Sequence, residues 1–87
     1  MHLLAGGRPP AFDARAVVLA PGEARPYEAA EWEGALVVVE QGEIELRCAG
    51  GDRRLGPGAV LWLDGLGLRA LRNPGAEPTL LVAVSRR

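Results

Sequence analysis

A chain of 87 residues, 48% of them hydrophobic and 24% charged, has ordinary globular composition and room for a single core, so neither a second domain nor disorder over most of the length is expected. A formal net charge of -1 and a pI near 5.8 leave no electrostatic footprint for nucleic acid or for an anionic membrane, and neither is expected as a partner. All ten basic residues are arginine; with no lysine, Schiff-base chemistry on a side-chain amine is excluded.

Cys48 is the single cysteine, which rules out an intramolecular disulfide. The start, Met1 to Gly7, has too short an apolar run for a signal peptide, and no stretch is long and apolar enough for a membrane span. A cytoplasmic protein is the expectation. A chain this short buries only about 60% of its unfolded surface, so covering more apolar area by forming a homodimer is the expected route to stability.

In chain order, residues 1–14 contain Gly6-Gly7 and Pro9-Pro10 with little periodicity and read as an arm; Leu3, Leu4 and Phe12 are the side chains that could tie it down. Residues 15–87 read as the domain. Glycine and proline break it at short intervals, and the runs between, 16–20, 35–39, 43–48, 59–63, 66–71 and 79–84, are too short for helices and rich in valine and leucine, as buried strands are. Residues 43–48 alternate polar and apolar and predict a strand with one wet face. Residues 37–39 and 80–84 do not alternate; they predict strands covered on both faces, by the barrel interior and by a partner surface. Many short strands with regular turns indicate a sandwich or barrel.

The glycine spacing resembles that of the cupin superfamily. Gly22 and Gly42 stand where the first cupin motif begins and ends, and Gly58 and Asn73 where the second does. The similarity covers roughly residues 16–85. It implies an all-β, single-domain antiparallel β-barrel, a double-stranded β-helix or jelly roll. It does not carry over the chemistry. Glu28 and Ala30 occupy the positions of the two motif histidines, Ala35 that of the motif glutamate, and Arg69 that of the last histidine. The Pro-x-Gly of the second motif is also lost, being Asp64-Gly65-Leu66 here. Of these residues only Glu28 could donate to a metal, since alanine has no lone pair and a guanidinium repels a cation. The sole histidine, His2, lies in the arm. No metal, no cofactor and no catalytic residue is therefore expected.

The family geometry implies that Glu28 and Arg69 point into one barrel mouth from different strands. They could form an ion pair where the family has a metal; Arg69 could instead hold the carboxylate or phosphate of a small molecule; or the side chains could reach into solvent. Tyr27 and Trp62 are candidate aromatic walls of such a pocket, against the simpler reading as core or interface packing. Trp32 reads as an anchor at a subunit interface or at the mouth. Cys48 shares the apolar phase of Ile44 and Leu46 and reads as an inert core thiol. Ser85 and Thr79 have no histidine to activate them. The expected function is a metal-independent, non-catalytic cupin domain that binds a small ligand, with a sensory or regulatory role. The alternatives are a degenerate cupin kept as a dimerising structural unit, or a metal-free isomerase or lyase using Glu28.

Overall fold

The structure is a computed structural model and describes residues 12–86. The greater part of the predicted arm, residues 1–11, lies outside the described residues. The elements are β1 (Phe12–Leu19), β2 (Ala24–Pro26), α1 (Ala29–Trp32), β3 (Ala35–Gln41), β4 (Ile44–Cys48), β5 (Arg53–Leu55), β6 (Val60–Trp62), β7 (Leu68–Arg72) and β8 (Thr79–Arg86). They form two four-stranded sheets with orders β1-β8-β3-β6 and β2-β7-β4-β5, antiparallel throughout. This is a two-sheet β-sandwich, within the sandwich or barrel expected from the turn spacing and in the jelly-roll form that the cupin resemblance implies. Each of the six predicted runs holds a strand, and β1 starts at Phe12, so residues 12–14 of the predicted arm pair with β8. Among the described residues no helix is long and apolar enough to cross a membrane.

β2 and β5 are three residues each and were not legible as strands, because Ala24-Arg25-Pro26 and Arg53-Arg54-Leu55 carry almost no apolar signal. Pairing with β7 and β4 makes them strands. Between the sheets the inward rows meet as alternation requires. Val17 and Leu19 of β1, Leu81 and Ala83 of β8, and Val37 and Val39 of β3 face Ile44 and Leu46 of β4 and Leu71 of β7. Each valine, leucine or isoleucine among them contributes about 1.5–3 kcal/mol on burial.

Two family positions have clear structural work. Asn73 is fully buried and uses its amide in three directions: Nδ2 donates to the Leu19 carbonyl at 3.1 Å and the Glu77 carbonyl at 2.7 Å, and Oδ1 accepts from the Gly75 amide at 2.9 Å. It thereby joins the end of β1 to the turn before β8. Gly42 has φ +77°, and a Cβ there would lie 2.7 Å from Thr79 Oγ1 and 2.8 Å from the Pro78 carbonyl oxygen. Thr79, itself fully buried, donates its hydroxyl to the Glu43 carbonyl at 2.5 Å, so the β3–β4 turn is clamped against the start of β8.

The outer faces of the two sheets differ sharply in kind. Outside the β2-β7-β4-β5 sheet, Arg72 bridges to Glu45 at 2.9 Å, Arg54 to Glu43 at 3.1 Å, and Arg47 reaches Asp52 at 3.8 Å. Such exposed pairs add little stability, but they make the face wettable. On the other sheet the register puts Ala14, Val84, Leu36 and Trp62 in one outward row across all four strands. The next row is Ala16, Val82, Val38 and Val60. Val18, Val60 and Trp62 are each more than half exposed.

Replacing Gly42 by alanine is expected to cost about 3 kcal/mol, from the positive φ and the close approach to Thr79 and Pro78 together. Asn73→Ala should cost about 2–4 kcal/mol by leaving the buried Leu19 carbonyl and the part-buried Glu77 carbonyl without this donor and emptying a fully buried site. Urea unfolding measures both; losses under about 0.5 kcal/mol would show that neither turn is held as described.

Candidate functional site

The open end of the sandwich is built around α1. Pro26 closes β2 because it offers no N–H to a ladder, and the Tyr27 amide makes a last bond to the Arg69 carbonyl at 2.9 Å. Glu28 is extended at φ -124°, ψ 114°; its carbonyl accepts from the Glu31 amide at 3.0 Å and opens a single helical turn with no side-chain cap. Gly34, at φ +69°, releases the chain into β3. A turn this short has one side to give to the core, and it gives Trp32, which is 1% exposed. The indole fills the end of the barrel interior with Ala35 and the inward leucines and valines.

Charged groups from both sheets close over it. Arg15 continues the inward row of Val17 and Leu19, opposite Ala83, and its guanidinium lies 4.9 Å from the centroid of the Trp32 ring, a cation–π contact. Arg25 lies opposite the buried Leu71, on the inward side of the other sheet. The two meet at Glu31. Arg15 donates from Nη2 to the Glu31 carbonyl oxygen at 2.8 Å and has Nη1 3.8 Å from Glu31 Oε2, while Arg25 Nη2 donates to that same Oε2. This hydrogen bond to Glu31, opposed by partial desolvation and supported by the charges of Glu31, Glu23 and Glu28, holds the Arg25 pKa above its usual range. The side chains of Arg15, Arg25 and Glu31 are 45%, 33% and 23% exposed, so solvent reaches the cluster from one side. Beneath it, the Trp32 Nε1 hydrogen is buried and has no acceptor.

The residues singled out from the sequence are not gathered at one point. Glu28 is exposed at the start of α1 and Arg69 is exposed on β7; among the described residues they form no ion pair with each other. The reason for Arg69 is a β-bulge. β4 residues Arg47 and Cys48 pair with Ala70 and Leu68, which leaves Arg69 as the extra residue, so Leu68 takes the buried position next to it. Trp62 stands on the outer face of its sheet, opposite Leu36. Tyr27 packs against the core and donates its hydroxyl to Asp64 Oδ1 at 3.4 Å. What sequence reading did not find is the set Arg15, Arg25 and Glu31. Arg15 shares the alternation of Val17 and Leu19 and could have been read as inward; nothing in the sequence marks Arg25 or Glu31. Cys48, expected in the core, is half-buried, donates weakly to the Leu46 carbonyl and lines a cleft of about 190 Å³ with Gly50, Gly51, Arg53, Gly65 and Leu66.

The donor set does not suit a metal of the kind the fold family holds. At the family's ligand positions Glu28 and Ala30 are exposed, Ala35 is a buried methyl and Arg69 is a bulged cation. Among the described residues no three His, Cys, Asp or Glu side chains are grouped to hold an ion.

Burial foremost, then the charge of Asp64 and its hydrogen bond, raises the pKa of Tyr27 above the ordinary 10.0. As this is the chain's one tyrosine, a spectrophotometric titration of the phenolate reads it directly. The midpoint should lie above 10.0 and fall in Asp64→Asn; a midpoint at or below 10.0 in the parent chain would contradict the packing described.

Comparison with known proteins agrees with this architecture. The cupin domain family model matches residues 15–85. The cupin domain of an XRE family transcriptional regulator from Enterobacter cloacae is 32% identical, with a TM-score of 0.61 over 84% of this chain and 78% of that one. A sugar phosphate isomerase of the cupin superfamily from Silicibacter pomeroyi is 26% identical at TM-score 0.61, covering 88% of this chain but only 52% of its own. A de novo designed double-stranded β-helix, 24% identical with TM-score 0.50 over 86% of this chain and 99% of its own, shares the fold. No curated protein matches the sequence. With the family model spanning nearly all of the described residues, and with Gly42 and Asn73 holding the turns at which its motifs end, the chain belongs to the cupin family.

Proposed function

We propose that the chain is a metal-independent, non-catalytic cupin module whose barrel mouth holds a small carboxylate- or phosphate-bearing ligand between Arg15 and Arg25. One observation carries this reading: two guanidiniums, one from each sheet, already converge on a single residue, Glu31, Arg25 bonding its carboxylate and Arg15 its backbone carbonyl with the carboxylate 3.8 Å away, over the face of Trp32. An external anion offers the same planar or tetrahedral acceptors, and arginine is suited to bind them through two N–H groups at once. Two guanidiniums against the one Glu31 carboxylate leave the three-residue cluster positive, which favours an added anion. Metal independence follows from the donors: the family's ligand positions supply one carboxylate, two methyl groups and a cation.

Glu31 belongs to the same helical turn as Trp32. A ligand that takes the arginines from Glu31 frees α1 from its clamp, so occupancy of the mouth is transmitted to the segment 27–34. That is the behaviour of a sensing module, and the similarity to the cupin domain of the Enterobacter cloacae regulator supports it. The interior below is filled by Trp32 and aliphatic side chains, which confines the ligand to the mouth.

Calorimetric titration with inorganic phosphate and with malonate should show binding to the parent chain. Arg15→Ala and Arg25→Ala should each weaken it by about tenfold or more, as loss of a charge-assisted hydrogen bond implies. Glu31→Gln should tighten it, by removing the internal competitor. Absence of binding by the parent chain, or equal binding by both arginine variants, would exclude the proposed site. Elemental analysis of the purified protein should find no stoichiometric transition metal; close to one equivalent of iron, manganese, nickel or zinc per chain would contradict metal independence.

A further inference from the structure

We infer that Glu31 and Trp32 together are a built-in stand-in for a ligand of one chemical class, an aryl ring carrying a carboxylate on a short tether, which on binding takes the Trp32 slot in the barrel and the anion position between Arg15 and Arg25 at once. This rests on the anion site proposed above, and adds to it the ring, the slot and the movement of the turn that uncovers the slot.

The ring and carboxylate positions are adjacent because one guanidinium serves both. Arg15 lies 4.9 Å from the centroid of the Trp32 ring and brings Nη1 to 3.8 Å from Glu31 Oε2, the oxygen that Arg25 bonds. A single small molecule can therefore span the two, its ring beneath Arg15 in the cation–π position and its carboxylate held by the guanidiniums. The surroundings of the ring are apolar, since Trp32 belongs to a buried cluster of leucine, isoleucine, valine and alanine side chains. An apolar slot of ring size takes up an aromatic ring in preference to water.

The side chain now in that slot is matched to it only in part. The Trp32 Nε1 hydrogen is buried and has no acceptor among the described residues, a cost that a phenyl ring does not incur. Nor is the segment that carries Trp32 held by a sheet. Residues 28–34 lie between the last ladder bond, from the Tyr27 amide, and the first pair of β3, Ala35 with Ser85, and no strand pairs with them. Within that segment Trp32 is the one buried side chain and Glu31 the one half-buried. At Gly34, φ +69°, nothing lies within 4 Å of where a Cβ would stand, so the glycine answers to the backbone angle and supplies a hinge. The two anchors of the turn are thus the two groups that an aryl carboxylate offers in their place. While Trp32 stays inside, an anion is confined to the mouth. A ligand with a ring displaces the plug and swings the turn outward.

In Trp62→Phe, which leaves Trp32 as the chain's one tryptophan, phenylacetate should shift the emission to the red as the indole leaves the barrel, whereas malonate, which leaves the slot to Trp32, should not. Phenylacetate should bind at least about tenfold more tightly than acetate, and Trp32→Ala, by removing the competitor, should widen that ratio by about tenfold or more. Should Trp32→Ala not fold, the emission of Trp62→Phe decides alone. Binding of malonate, with phenylacetate no tighter than acetate and the Trp32 emission unmoved, would overturn the inference and leave the anion site standing. A red shift that persists at unchanged affinity when Arg15 and Arg25 are both replaced by alanine would overturn the inference and the anion site together, and so would failure of both malonate and phenylacetate to bind.

Discussion

Trp32 sealing the end of the barrel is the contact on which the rest of the mouth depends. A single helical turn between Glu28 and Gly34 places one large side chain inside, and full burial of an aromatic of this size is a gain of several kcal/mol, enough to fix a segment that has no cap and almost no helix of its own. Once the indole is there, its outer surface needs a cover compatible with water above and a ring below. Arg15 meets both needs, stacking on the ring while its donors reach the backbone and carboxylate of Glu31. Arg25 then bonds the Glu31 carboxylate from the other sheet. The cluster is a consequence of the plug.

The family's ligand positions fall here on Glu28, Ala30, Ala35 and Arg69, and the two sheets are cross-linked by other residues in another way. A metal would join the two sheets through imidazole and carboxylate donors. Here Glu31 on the intervening segment joins them, its carboxylate bonded by Arg25 and its backbone carbonyl by Arg15 at 2.8 Å. The two solutions differ in what can reverse them. A bound ion leaves only when its ligands do, whereas an internal carboxylate that is partly solvated can be exchanged for an external one of similar shape.

Much of the fold was legible because it is written in glycine and in alternation. Gly42 and Asn73 stand out by their match to the cupin motifs, and the structure explains the first by a close approach to Thr79 and the second by the three hydrogen bonds of its buried amide. The half-wet strand β4 is as its pattern requires, with Ile44 and Leu46 buried and Arg47 exposed. The site was legible only in part. A spacing argument assumes uninterrupted alternation, and the bulge at Arg69 breaks it by one residue, enough to turn a side chain from one face to the other. Likewise a motif aligned as strand over residues 28–30 becomes the start of a helical turn, which leaves Glu28 and Ala30 exposed. Arg25 and Glu31 could not be paired from sequence, because their meeting depends on that turn.

The two outer faces show the same economy at larger scale: one sheet is solvated by ion pairs between its own strands, and the other leaves its apolar rows bare. The proposed function rests on the barrel mouth. A crystal structure of the chain grown with inorganic phosphate would test that most directly. The account requires the phosphate to lie between Arg15 and Arg25 with the Glu31 carboxylate turned away from both. Arginines still closed on Glu31, with phosphate absent from the mouth or bound elsewhere, would contradict it.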